Sequence, residues 1–240
     1  MRKEKVLIIV VLIFLVGHML GCNVSLPIYE KTDDDGLSVM INGITYKSNP
    51  PIKWELNSPG EELGFAGNQD ILLLKVSNDT DMNFLYYHDK YASTYGVLYR
   101  ADKDIPEPSK EVIDKIDWVE YYTESDNNVV MTEDEYTNTI NDKEIIEALF
   151  NEINNSKKYD IFGYELSSLN RDGWLHIMYI ECTSNMLLGA HYKLNIGVYD
   201  DKIVCGNSLN KYVEISPELI ERISGKKITL KDFLKEVSEP

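Results

Sequence analysis

The residues that could carry chemistry are few, and most of them are cysteines and histidines. The chain has three cysteines and four histidines. His176 and Cys182 lie in the stretch WLHIMYIEC, where every second residue points to the same face of a predicted strand, together with Met178 and Ile180. With Cys205 as a third ligand they could hold a metal ion. A histidine and a cysteine on a half-buried strand explain the pattern more simply, so we predict no metal and no cofactor.

Cys182 and Cys205 could instead form a disulfide, which an exported chain permits. The bond requires their Cα atoms to lie within roughly 7 Å of each other. In a simple meander the predicted strand 191–199 would lie between the two cysteines and forbid the bond. The sequence therefore favours free thiols and leaves the disulfide open.

Other patterns that could indicate catalysis or ion binding fail. The chain has neither a GxSxG elbow nor an HExxH helix. Asp79, Asp81 and Asn83 have the offsets of a calcium loop, but Phe84 stands where that loop needs glycine and Lys90 where it needs glutamate. We therefore predict a hairpin turn at this point and no catalytic residue.

Two further groups of residues have simple structural explanations. Gly60, Gly64 and Gly67 lack the Gly-Lys-Ser/Thr of a phosphate loop and are predicted to be turn glycines. The three tryptophans, at positions 54, 118 and 174, could form a carbohydrate or peptide platform. Packing in the core and on the sheet accounts for such residues more often.

The beginning of the chain is typical of an export signal. Arg2, Lys3 and Lys5 precede an apolar run of fifteen residues, Val6 to Leu20. As a helix this run spans roughly 22 Å, short of the roughly 30 Å hydrocarbon core of a bilayer. The length favours the apolar region of a signal peptide over an uncleaved membrane anchor, which is the alternative.

The run ends in MLGC, which resembles the lipobox of bacterial lipoproteins. Gly21 and Cys22 match that motif, whereas Met19 replaces the usual leucine and Leu20 a smaller residue. The resemblance implies cleavage after Gly21 and a diacylglycerol on the sulfur of Cys22, with acyl chains such as palmitate. It places the mature chain on the outer face of the cell membrane.

The composition restricts the partners of this chain. The formal net charge is −16, the sequence pI is near 4.6, and hydrophobic residues make up 43% of the chain. Such a chain can bury a core, and its negative charge repels nucleic acid. We predict an unknown protein, peptide or wall ligand as the partner, and no nucleic acid.

Composition and turn signals divide the chain into five segments. Residues 1–21 form the signal peptide, and 22–36, with three consecutive aspartates, form an acidic tether. Residues 37–105 alternate apolar and polar positions around the Asn42-Gly43 turn and predict a small β-rich module. Residues 106–138 connect it to an α+β module at 139–240. A short helix capped by Ser109 is expected early in this connection, and the stretch 117–124, DWVEYYTE, is a candidate strand.

The last segment combines helices with strands. Asn141 and Glu144 have capping-box spacing before an amphipathic helix that ends at Asn154-Asn155. Predicted strands follow, with tight turns at Asp172-Gly173 and Asp200-Asp201. A helix then runs from a Ser216 cap to a Gly225 stop, and a last helix begins at Thr229.

This order predicts the α+β class, with antiparallel β-sheets and a few amphipathic helices. It resembles uncharacterised modules of surface lipoproteins in low-GC Gram-positive bacteria, through the stretches 41–46, 60–67, 141–146 and 212–219. That group implies no activity. We therefore expect a non-catalytic binding or interaction lipoprotein, with a protective, immunity-type lipoprotein and an envelope-acting hydrolase as the alternatives.

Overall fold

The computed structural model describes nine stretches of the chain, and all structural statements refer to them. They are residues 26–32, 37–48, 53–67, 69–92, 94–124, 136–161, 170–171, 174–207 and 211–229. The leader with its Gly21-Cys22 site, the run Asp33–Asp35, the Asp172-Gly173 turn and nearly all of the helix predicted from Thr229 lie outside these stretches.

Strands dominate the described part of the chain. Its first eight strands are β1 (Ile28–Lys31), β2 (Ser38–Ile41), β3 (Ile44–Ser48), β4 (Glu55–Leu56), β5 (Pro59–Ala66), β6 (Ile71–Val76), β7 (Phe84–Asp89) and β8 (Thr94–Arg100). The second half contains β9 (Lys115–Glu124), β10 (Tyr136–Ile140), α1 (Lys143–Asn155), β11 (Lys158–Asp160), β12 (Asn170–Arg171), β13 (Trp174–Thr183), β14 (Ala190–Tyr199), β15 (Lys202–Gly206), β16 (Lys211–Glu214) and α2 (Pro217–Ser224).

Seven of these strands close a small barrel in the order β1-β2-β3-β8-β7-β6-β5. Its interior is filled by buried side chains, among them Val39, Tyr46, Leu73, Leu85 and Leu98. The neighbouring strands pair antiparallel, except that β1 pairs parallel to β5 and so closes the ring. The sequence predicted antiparallel sheets and no barrel, because the pairing of β1 with β5 joins segments that are distant along the chain.

The strand pairing in the barrel corrects the prediction of an acidic tether. Residues 22–36 were predicted to be a solvated linker, but Ile28–Lys31 form β1 and pair with both β2 and β5. The side chain of Tyr29 packs against the barrel core. A four-residue strand with one inward apolar side chain is too short for a periodic signal, so the local sequence did not reveal it.

Turns inside the barrel follow the local chemistry of the sequence. Asn42 and Gly43 have φ values of 52° and 81° and connect β2 to β3, as predicted for a tight hairpin. The Asp79 region forms the turn between β6 and β7 that we also expected. Gly60 and Gly64 instead lie within β5, where the register with β6 shifts. The turn prediction is therefore correct there only for Gly67, whose φ is 61°.

A nine-stranded sheet follows, with its main path in the order β10-β9-β13-β14-β15-β16-β11. β12 pairs with β13, and β4, which comes from the first half of the chain, pairs with β14. β9 lies between β10 and β13 inside the sheet, although it falls in the segment expected to be a connection. β14 is buried at alternate positions from Ala190 to Val198, so these side chains share one inward face.

The helices pack against each other and against this sheet. α1 buries Ile146, Leu149 and Phe150, as its apolar spacing predicted. Its N-cap is Asp142, which accepts a hydrogen bond from the Glu144 amide at 2.8 Å, so the predicted cap at Asn141 is wrong by one residue.

Two further helix predictions have different outcomes. The helix expected after Ser109 is a single turn, in which the amides of Val112 and Ile113 donate to the Ser109 carbonyl. The next strand begins at Lys115 and leaves no room for a second turn. The cap at Ser216 and the stop at Gly225 are confirmed for α2.

One apolar cluster joins the barrel to the sheet. It contains Val76 and Phe84 from the barrel, Trp54 from the segment before β4, and residues such as Trp118 and Ile180 from the sheet. The indole of Trp54 donates to the Pro106 carbonyl at 2.7 Å. The two β units therefore share a core. Neither of the described helices is long and apolar enough to cross a membrane.

Candidate binding groove

A groove of about 700 Å³ opens where α2 meets the β15–β16 end of the sheet. Both elements are fixed by polar contacts close to the groove. The amide and hydroxyl of Ser216, at the start of α2, donate to the two carboxylate oxygens of Glu152 on α1, at 2.8 and 2.6 Å. The Ser216 hydroxyl also accepts from the Leu219 amide. A single carboxylate thus fixes the point at which the chain turns from β16 into α2.

The floor of the groove is apolar. Ile203 lies in β15, Ile215 directly follows β16, and Ile228 lies in the segment after α2. Each is at most 5% exposed, so these side chains are part of the core cluster and reach the groove only at its base. Pro217, at the first position of α2, completes this apolar lining. The base of the groove is therefore apolar.

The rim of the groove carries more negative than positive charge. Its acidic members are Asp201, Glu214, Glu218 and Glu221, and its basic members are Lys202 and Lys227. The ammonium of Lys202 lies 2.6 Å from a carboxylate oxygen of Glu214, and this hydrogen bond raises the pKa of Lys202. Within the described part of the chain, Asp201, Glu218 and Glu221 have no ion-pair partner. The ammonium of Lys227 has no ion-pair partner there either, so the unpaired rim charges are three carboxylates and one ammonium, and their sum is negative.

The size and lining of the groove are those of a ligand pocket. Ligand pockets commonly have volumes of about 300–1,000 Å³, with an apolar lining and a few polar groups that orient the ligand. No histidine or cysteine is among the described residues that line this groove. An apolar side chain flanked by cationic groups would match both the floor and the rim.

The structure separates the two cysteines that the sequence singled out. Both are free thiols and both are buried. β14 lies between β13, which carries Cys182, and β15, which carries Cys205. Strands two positions apart in a sheet are roughly 10 Å apart, beyond disulfide range. Burial raises the pKa of Cys205 to about 12 and that of Cys182 well above its usual value, so neither thiol forms a reactive thiolate.

The histidine side chains that the structure describes, those of His88 and His191, do not form a common site with these thiols. Nδ1 of His191 lies 3.3 Å from the side-chain oxygen of Asn57, and its Nε2 lies 3.5 Å from a carboxylate oxygen of Glu55. This contact lowers the pKa of Glu55 and links β4 to β14. His88 stacks on Tyr95 on the barrel. The side chain of His176 lies outside the described part, within which no group of three or more ligands could hold a metal ion.

Asp79 has a structural role in its turn. Its carboxylate accepts from the Phe84 amide at 2.8 Å and from the Asn83 side chain at 3.1 Å, and the residue is buried. Burial is the main cause that raises the pKa of Asp79. The carboxylate is thus occupied by hydrogen bonds from its own turn.

The tryptophans that the structure describes are also structural. Trp54 and Trp118 are buried in the shared core, so they cannot form a surface platform. The side chain of Trp174 is outside the described part.

Sequence reasoning identified α2 and its cap but not the groove beside it. The rim combines residues from the β14–β15 turn, β16, α2 and the segment after it. Each carries an ordinary charge within its own segment. The fold brings these charged residues together around one groove, and no local sequence pattern predicts that they lie close together.

No family model, curated protein or solved structure matches this chain.

Proposed function

We propose that this α+β chain is a lipid-anchored, extracytoplasmic binding protein without catalytic activity, and that its groove binds a cationic, partly apolar peptide segment of a partner. The groove is the observation that carries the proposal. It combines a buried isoleucine floor with a rim on which carboxylates outnumber ammonium groups by four to two.

The charge of the whole chain supports the same ligand class. A formal net charge of −16 attracts cationic partners over long distances, and the rim then selects among them at short range. An anionic or purely polar segment would lack either the charge match or the apolar contact. A peptide in which lysine alternates with leucine supplies both.

The proposal is tested by direct binding to the unlipidated mature chain. The probe is a fluorescent peptide of alternating lysine and leucine, and a peptide of alternating glutamate and leucine is the control. We expect saturable binding of the cationic peptide that weakens as salt is raised, because the rim contacts are exposed. Equal binding of both peptides would contradict the proposal.

A pair of variants locates the binding. Changing both Glu218→Gln and Glu221→Gln removes two rim charges and should weaken binding by roughly 2- to 30-fold, at 0.2–1 kcal/mol for each exposed charge. Changing both Glu62→Gln and Glu144→Gln removes the same charge from exposed positions outside the groove lining. Equal losses in the two variants would mean that only the net charge matters, and not the groove.

The lipid anchor is proposed on the sequence alone. It rests on the charged start, the short apolar run and the Gly21-Cys22 pair. The thiol of Cys22 receives the diacylglycerol, and two acyl chains hold a protein far more firmly than one. Cys22→Ser should release the protein or leave it uncut. Normal processing and unchanged membrane attachment in that variant would refute the anchor.

A further inference from the structure

The chain joins the barrel almost immediately after the proposed lipid site. The Pro27 carbonyl accepts a hydrogen bond from the Phe65 amide of β5 at 2.8 Å. Gly64 packs so closely here that an added Cβ would lie within 2.4 Å of the same carbonyl oxygen. The backbone is therefore held against the barrel from Pro27 onward.

This entry point limits how far the barrel can move from the membrane. Only five peptide links separate Cys22 from Pro27. Fully extended, they span at most roughly 18 Å. The acidic run Asp33–Asp35 follows β1 and so adds nothing to this reach. If Cys22 carries the lipid, the surface around β1 must lie close to the bilayer.

The outer face of β1 and β2 is suited to such a position. Ile28 and Met40 are 54% and 42% exposed, which is high for large apolar side chains. The register pairs Glu30 with Met40, so Ile28, Glu30 and Met40 share one outer face of the barrel. They form a small apolar surface beside the chain entry.

The described strands β1, β2 and β3 carry charges of both signs on this face. Met40 pairs with Thr45 on β3, and Lys47 lies two residues further along on the same side. Glu30 and Lys47 therefore contribute opposite formal charges to the β1–β2–β3 surface. This balance matters because a surface as acidic as the average of the chain would be repelled by anionic lipid headgroups.

We propose that the β1–β2 face of the barrel rests on the bilayer, with Ile28 and Met40 at the boundary between headgroups and acyl chains. This inference rests on the proposed lipid attachment at Cys22. The short connection supplies the proximity, and the two apolar side chains fix which face of the barrel meets the lipid. The nine-stranded sheet and the groove are then presented beyond the barrel.

The test uses the lipidated mature chain in vesicles of phosphatidylglycerol and phosphatidylcholine. Met40→Cys is labelled with an environment-sensitive fluorophore, and Met186→Cys, 65% exposed in the loop before β14, is the matched control. Both positions are exposed, so neither change should impair folding. The buried thiols of Cys182 and Cys205 should remain unlabelled in the folded protein.

We expect a blue shift and quenching by nitroxide-labelled lipid at position 40, and neither effect at position 186. Identical signals at the two positions, in protein that sediments with the vesicles, would refute the membrane-facing surface and leave the anchor intact. Protein that fails to sediment with the vesicles would refute the anchor, and the inference with it.

Discussion

Gly189 is the position at which the joint between the two β units can be tested most directly. It has a φ of 87°, a conformation that L side chains rarely adopt. Its carbonyl accepts a hydrogen bond from the Asn57 amide at 2.8 Å. A Cβ added to Gly189 would lie 2.8 Å from the backbone nitrogen of Asp79, in the β6–β7 turn of the barrel. Gly189→Ala therefore forces the loop before β14 and the barrel turn apart.

The expected cost has two parts. The left-handed backbone conformation costs alanine about 1–2 kcal/mol relative to glycine. Crowding in a packed contact adds about 1–3 kcal/mol, because the atoms that would have to move belong to the backbone. We expect Gly189→Ala to lower the free energy of unfolding by about 2–5 kcal/mol.

Gly43→Ala is the matched control for this change. Gly43 has a φ of 81°, and an added Cβ there would meet no atom within 4 Å. It should cost only the backbone part, about 1–2 kcal/mol. The difference between the two variants therefore measures the contact between the barrel and the loop before β14.

Urea unfolding of the unlipidated chain, followed by tryptophan fluorescence, supplies the assay. Trp54 and Trp118 are buried in the shared core and report on its exposure to solvent. If Gly189→Ala is no more destabilising than Gly43→Ala, the loop does not pack against the barrel turn, and the two β units are not joined as described.

Three further predictions concern residues whose surroundings the structure defines. In the folded, unlipidated chain at pH 8, N-ethylmaleimide should modify neither Cys182 nor Cys205, because both thiols are buried. In guanidinium it should modify both. Modification of either thiol in the folded chain would contradict this prediction. Asp142→Ala removes the helix cap and should lower the free energy of unfolding, measured in urea, by about 1 kcal/mol. Asn141→Ala should lower it clearly less. The reverse order would mean that Asn141 is the cap. The hydrogen bond with His191 lowers the pKa of Glu55. Glu55 therefore stabilises the fold above its unfolded pKa. This contribution disappears as the pH falls through the folded pKa of Glu55. In the Glu55→Gln variant, the free energy of unfolding should fall less steeply below the unperturbed pKa of 4.5. An unchanged pH dependence in this range, measured by urea unfolding, would contradict the contact with His191.

The turn and cap predictions that the structure confirms have causes in local chemistry. Asn42 and Gly43 adopt positive φ values with little or no steric cost, so the hairpin follows from the dipeptide itself. Asp200 and Asp201 likewise have φ values of 50° and 55° between β14 and β15. Ser216 caps its helix through atoms three residues apart. In each case the physical cause lies within a few residues of the chain.

The misassigned segments depend on distant partners. β1 has one inward tyrosine and becomes a strand because β5 and β2 provide backbone partners on both sides. β9 lies in the segment predicted to be a connection, where 117–124 is only a candidate strand, and it forms because it pairs with β10 on one side and β13 on the other. The helix expected after Ser109 does not extend beyond one turn, because β9 begins at Lys115. Tertiary pairing decided all three segments.

The same division applies to function. The proposed anchoring to the membrane follows from the sequence alone, since the charged start, the short apolar run and Gly21-Cys22 act as a linear signal. The acidic charge, from which we predict that nucleic acid is not a partner, also follows from the sequence. Only the tertiary structure brought Asp201, Glu218 and Glu221 around one apolar floor. A groove is a relation between surfaces from separate elements, and it exists only after the sheet and α2 have packed together.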